Sequence, residues 1–164
     1  MSNFISIEAD IIVQKLDETS ATQNHTLGKI IRAEDKDTTA YGAGEFIYLK
    51  GVASTAIGEP VIYDLDAGTT TRAVAGSRGN IAFAMSANVA SQYGWYQISG
   101  TCVVKTGTVA AAALPYLTAT AGTLDDAVVS GDKIDNAKFI TANGTPSAGF
   151  ALVQANRPSA NGNG

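Results

Sequence analysis

The chain has 164 residues, of which 45% are hydrophobic and only 16% charged, with a formal net charge of −4. That length suits one domain with a real core, and so few charges leave much neutral surface that can be buried against other subunits without trapping an unpaired ion. Lys and Arg are scattered singly from Lys15 to Arg157, which argues against a nucleic-acid partner; no apolar run nears the roughly 18 residues of a membrane span, and the N-terminus lacks the basic-then-apolar order of a secretion signal, so neither a membrane partner nor export is expected.

Residues 1–28 set themselves apart. Phe4, Ile5, Ile7, Ile11, Ile12, Val13 and Leu16 are interleaved with acids, and Asp17 to Thr26 is a polar run. The apolar spacing fits neither the helical nor the strand period, so the segment reads as an extended N-terminal arm. Branched apolar residues are costly to leave in water. The arm is therefore expected to cover its own barrel or lie on a neighbour, with Phe4, Ile5, Ile7, Ile11 and Ile12 as the candidate contact residues.

From Leu27 the pattern turns to β. Strands are predicted at Lys29–Ala33, Gly44–Lys50, Pro60–Asp64, Thr69–Val74 and Asn80–Met85, divided by turn-forming combinations such as Gly58-Glu59-Pro60, Asp66-Ala67-Gly68 and Gly76-Ser77-Arg78-Gly79-Asn80. The stretch Tyr93 to Gly100 holds the only tryptophan, Trp95, and reads as the central strand. Further strands are predicted at Thr101–Thr106, Pro115–Ala119, Thr123–Asp125, Lys133–Ala142 and Gly149–Asn156. The fold class is all-β, a compact β-barrel or β-sandwich over residues 29–156 preceded by the arm. Residues 157–164 read as a tail, mobile or held only by a neighbour.

A shift of about 55 positions sets Pro60 on Pro115, Gly94 on Gly149 and Trp95 on Phe150, an internal two-fold repeat that would supply two matching layers. Gly94, Trp95, Gly149 and Phe150 are accordingly the expected structural anchors. In each pair the glycine allows a close backbone approach and the aromatic supplies buried area.

Candidate chemistry is sparse. One histidine, His25, and one cysteine, Cys102, cannot supply a nitrogen–sulfur zinc site; Cys102 reads as a small buried thiol. Asp64, Asp66, Asp125, Asp126, Asp132 and Asp135 follow no EF-hand spacing and read as turn acids bonding their own backbone. Gly76 to Asn80 lacks the lysine and hydroxyl of a phosphate loop and leads into a strand. Asn24 and Asn143 begin glycosylation triplets that mean little without a secretion signal. Tyr93, Trp95 and Tyr96 suggest a sugar-stacking platform or, more in keeping with their setting, core; the reading sets Trp95 on the opposite face from both Tyr93 and Tyr96. No catalytic group, metal or cofactor is expected, and the chain reads as a non-enzyme.

The succession Gly44-Glu45-Phe46-Ile47-Tyr48-Leu49-Lys50-Gly51-Val52, Gly58-Glu59-Pro60-Val61, Thr70-Thr71-Arg72, Gly94 to Gly100 and Ala121-Gly122-Thr123-Leu124-Asp125 resembles the tailed-phage capsid decoration, or cement, proteins over residues 29–156. The resemblance implies a small β-rich virion protein, made in the host cytoplasm and placed on the outer capsid at local threefold positions. Its implied partners are the major capsid protein and itself, as a homotrimer. The alternative expectation is a carbohydrate-binding or head-fibre attachment module using exposed Trp95 or tyrosines.

Overall fold

The computed structural model describes residues 4–6, 13–38, 40–88 and 90–162. Its strands are β1 (Phe4–Ser6), β2 (Ile30–Asp35), β3 (Ala43–Lys50), β4 (Pro60–Asp64), β5 (Thr69–Arg72), β6 (Arg78–Ala84), β7 (Tyr93–Lys105), β8 (Tyr116–Leu117), β9 (Leu124–Asp125), β10 (Ile134–Phe139) and β11 (Phe150–Asn161). The protein is all-β, as expected, and no helix occurs among the described residues.

One nine-stranded sheet runs β1-β2-β3-β5-β4-β6-β7-β11-β10, with β3 also paired to β7 and β6 to β11. The first extra pairing closes β3, β5, β4, β6 and β7 into a ring. Its narrowest join is β3 to β5, where Lys50 opposite Thr69 is the paired position, supported by the Lys50 amide donating to Gly68 O at 2.8 Å. The second extra pairing makes a smaller circuit of β6, β7 and β11. The β8–β9 ribbon and β10 pack beside it, with Phe139 N donating to Ala113 O and Ile134 N to Pro115 O.

Alternation along the strands sorts side chains into these cores. Ile47 and Leu49 of β3, Val61 and Tyr63 of β4, Ala82 and Ala84 of β6, and Tyr96 and Ile98 of β7 fill the ring. The opposite face of β6, Ile81 and Phe83, joins Cys102, Val104, Leu117, Leu124, Ile134, Phe139, Ala151 and Val153 in a second core. On the outer wall of the ring Ile31, Ala33, Phe46, Tyr48 and Trp95 meet Leu16 from the arm. Thus β6 serves two cores with its two faces, whereas β7 serves the same two cores with one face, by bending.

The bend is at Gly100. Its φ of 102° lies where L side chains rarely go, and a Cβ there would meet Ala43 O at 2.7 Å. Where two strands were predicted, Tyr93–Gly100 and Thr101–Thr106, a single 13-residue strand crosses both cores. A second difference is at the C-terminus. Residues 157–161, expected as a tail, continue β11 to Asn161. Asn156 still faces Ser99 of β7, but Ser159 to Asn161 pair with Asn80 to Arg78 of β6. Arg157 at a φ of 47° and Pro158, which has no amide hydrogen, make the transfer. The expected two-layer repeat takes another form: Trp95 lies on the outer wall of the ring, Phe150 starts a strand of the second core and pairs opposite Lys105, and the halves share β6 and β7.

Gly100→Ala is expected to lower unfolding free energy in urea by about 2–4 kcal/mol, combining unfavourable φ with the clash on Ala43 O. Gly76→Ala, at a φ of 80° with open space around the added methyl, is expected to cost about 1 kcal/mol. Equal losses would show that the bend carries no steric constraint of its own.

Candidate functional site

Residues 13–28 of the arm cover the protein's own wall. Leu16 is buried against Trp95, and Trp95 Nε1 donates to Gln14 O at 3.1 Å. The Gln14 side chain is the fastener: its Nε2 donates to Glu18 O at 2.8 Å and Tyr93 O at 2.9 Å, while its Oε1 accepts from Tyr48 OH at 2.7 Å. Ser20 exchanges backbone hydrogen bonds with Tyr93, at 2.9 and 2.8 Å. His25 sets its ring 5.1 Å from Tyr48 and 5.2 Å from Trp95. A buried side-chain amide is costly unless its donors and its acceptor are matched, and at Gln14 both ends are matched.

The remaining predicted residues are spread out. Ile5 in β1 is 44% exposed, and β1 pairs with β2, Phe4 opposite Asp35. Ile7, Ile11 and Ile12 lie outside the described residues, as does the side chain of Phe4. Gly94 is buried next to Ser86, where a Cβ would sit 3.1 Å from Oγ. Trp95 is 0% exposed and Phe150 half-buried, so Trp95 is an anchor but not the partner of Phe150. Gly149 has a φ of 86° with open space around it; the turn, rather than close packing, asks for glycine there. Tyr93 stacks on Tyr48 at 6.4 Å and shares the Trp95 side of β7, contrary to the sequence reading, because residues two apart on a strand face the same way. Tyr96 faces the ring interior, where burial pushes its phenol up to about 12 despite Thr70 and Asn88 nearby. Neither Trp95 nor Tyr96 is available to a ligand at the surface.

Cys102 is a buried free thiol whose pKa burial pushes up. Two of the acids act as expected of turn residues, Asp64 Oδ1 accepting from the Asp66 amide at 2.8 Å and Asp125 Oδ1 from the Ala127 amide at 3.1 Å, whereas Asp126 accepts from the distant Ala110 amide at 2.8 Å and Asp135, in β10, pairs with Lys133 at 2.9 Å. Asp132, which is buried, reaches further and accepts from the Gly76 amide at 2.6 Å, pinning the Gly76 turn to the second core. Among the described residues no group of His, Cys, Asp and Glu could hold a metal ion.

Sequence reasoning missed the most highly charged buried feature. Glu59, only 1% exposed, accepts from Arg72 Nε at 2.7 Å and Nη2 at 2.8 Å and from Lys105 Nζ at 2.9 Å. Arg72 Nη2 also donates to Ala121 O at 2.9 Å, so one carboxylate ties β5 of the ring to β7 and to the β8–β9 ribbon. Gly122, at a φ of 76°, leaves it room: a Cβ there would meet the Glu59 carboxylate at 2.5 Å. Burial works to raise the Glu59 pKa, but the hydrogen bonds from Arg72 and Lys105 outweigh it and hold the carboxyl below its ordinary value. The signal in the sequence was the lone acid inside Gly58-Glu59-Pro60, which turn chemistry alone seemed to explain.

On the face of β7 that turns away from both cores lies a cleft of about 280 Å³, lined by Asp17, Tyr41, Ile57, Met85, Gln97 and Val103 among others. An apolar extension of about 180 Å³ continues it past Val103 and Pro146 to Phe150.

Because Arg72 and Lys105 keep part of their side chains in water, Glu59→Gln leaves no fully buried charge behind, and it is expected to lose about 1.5–3 kcal/mol at pH 7 in urea titrations. Because the folded carboxyl has the lower pKa, its stabilising share is full above the unfolded value near ~4.3 and fades as pH falls through the folded one. The gap between wild type and Glu59→Gln should therefore hold from pH 7 to about 5 and narrow below about 4. A gap that stays constant down to about pH 2 would contradict this assignment.

The chain matches no protein-family model, and no curated protein is significantly similar to it.

Proposed function

We propose that the chain is a structural protein of a tailed-phage virion, made in the host cytoplasm. It binds the outer surface of the icosahedral capsid, as a trimer at local threefold positions, and stabilises the expanded shell. The carrying observation is where large apolar side chains reach solvent. Ile5 and Val13, the latter 67% exposed, lie in the arm; Leu114, Val128 at 82%, Val129 and Ile140 lie around the β8–β9 ribbon and β10; Ile30 of β2 and Leu65 in the β4–β5 turn stand apart from both groups. In the strand order β1 begins the sheet and β10 ends it, so the two groups belong to unlike ends of the fold. Apolar surface at two unlike ends favours head-to-tail contacts, which close into rings when the rotation allows.

The chemistry of the described surface supports the reading. Neutral side chains dominate, and burying them against identical copies and a shell traps no unpaired ion. The mechanism is linkage: a protein that binds the assembled lattice and not its dissociated subunits adds its binding free energy to the stability of the lattice, and symmetry repeats each weak contact many times over. The major capsid protein and further copies of the chain are the partners, and no catalytic step is involved.

Light scattering of the purified chain should give the mass of a trimer, and the chain should co-sediment with expanded capsids but not with unexpanded ones. Deleting residues 1–12, which removes the short edge strand β1 but leaves Gln14 and Leu16 in place to cover Trp95, should reduce capsid occupancy about tenfold or more while the chain still unfolds cooperatively with only a small drop in midpoint. Monomeric mass together with no capsid binding by the intact chain would reject the proposal; full occupancy after the deletion would remove the arm from it.

A further inference from the structure

We infer that the cleft on the outer face of β7 is a receptor for an arginine side chain presented by a partner protein. This goes beyond the capsid reading and stands on its own observations. The first is Gln97, only 2% exposed yet part of the cleft lining. Its Nε2 donates to Ser99 O at 3.1 Å and Thr101 O at 3.2 Å, two acceptors that fix which end of the amide is nitrogen. The polar atom it offers to the cleft is therefore Oε1, an acceptor that takes no hydrogen bond among the described residues.

The second is charge. Asp17, at the rim of the same cleft, is exposed and has no cationic partner among the described residues. Among the described residues no Lys or Arg lines the cleft. A rim carboxylate and a fixed carbonyl oxygen together ask for a ligand that is cationic and has several donors, which a guanidinium is and a single hydroxyl is not. The third is the wall: Ile57, Val103 and Pro146 form an apolar flank that continues into the extension ending at Phe150. An arginine has the matching build, a three-carbon stem that packs on apolar surface and a planar donor head at its end.

The test uses the full chain, uniformly labelled with nitrogen-15, titrated with n-butylguanidinium at low salt while amide spectra are recorded. Saturable shifts are expected at the Gln97 side-chain amide and at the backbone amides of Thr101, Val103 and Ser147. A dissociation constant of roughly 1–20 mM suits so small a probe. Asp17→Asn, a change at an exposed position that leaves the core untouched, should weaken binding about threefold to fivefold. Wild-type affinity should fall as salt rises. Neutral n-butylurea, of the same shape and without the charge, should bind at least about threefold more weakly. Absence of saturable shifts at these residues overturns the inference, and so does equal binding of the urea and the guanidinium.

Discussion

The fold depends on one strand being able to bend. β7 carries Tyr96 and Ile98 into the ring and Cys102 and Val104 into the second core, all on one face. To pass from one core to the other, β7 must clear the start of β3 between Ile98 and Cys102. Gly100 resolves this with a positive φ and the absence of a Cβ, allowing the backbone to come against Ala43 O. Because β6 uses its two faces for the same two cores, the ring and the second core are not separable halves. Each completes its circuit only by borrowing strands from the other.

Such sharing makes the interface between the cores a place where a fault in one is felt in the other, and the charged group buried there fits that role. Glu59, Arg72 and Lys105 come from before β4, from β5 and from β7, and Arg72 reaches Ala121 in front of β9. Replacing such a triad by apolar residues is often neutral for stability, so its contribution lies in specificity: a misregistered β5 or β9 would strand a charge. The strap over Trp95 is the uncharged counterpart. Gln14 matches Tyr48, Tyr93 and Glu18 at once, and a shift by one residue would leave all three without it.

Strand positions were largely legible because alternation and turn chemistry are local. Pro60–Asp64 was predicted to the residue, and β3, β6 and β10 to within a few. What stayed hidden was whatever needs a partner from far along the chain. Gly100 looked like a strand end because a glycine in a β run reads as a stop, and only the presence of two cores makes it a bend. Residues 157–164 read as a tail because they hold no large apolar side chain to bury; Pro158 instead sits where β11 gives up β7 and takes β6. Burial of Trp95 was legible from its setting, but its cover was not, since nothing local in Gln14 and Leu16 marks them as partners of a residue in β7. The cleft was invisible for the same reason: Asp17, Gln97 and Pro146 have no shared motif.

The proposed assembly follows from the same geometry by a symmetry argument. A two-fold dimer uses one patch twice, so a chain built for it would concentrate its exposed apolar side chains in a single self-complementary area. Here Ile5 and Val13 belong to the arm that opens the sheet, and Val128, Val129 and Ile140 to the region that closes it. Where unlike patches mate head to tail, a closed ring is the form that leaves neither patch in water. On a lattice that offers threefold positions, ring closure and lattice symmetry then select the same number of copies, so binding to the shell and closing the ring reinforce one another. A chain with few charges can bury both patches without the desolvation cost that would otherwise offset the gain.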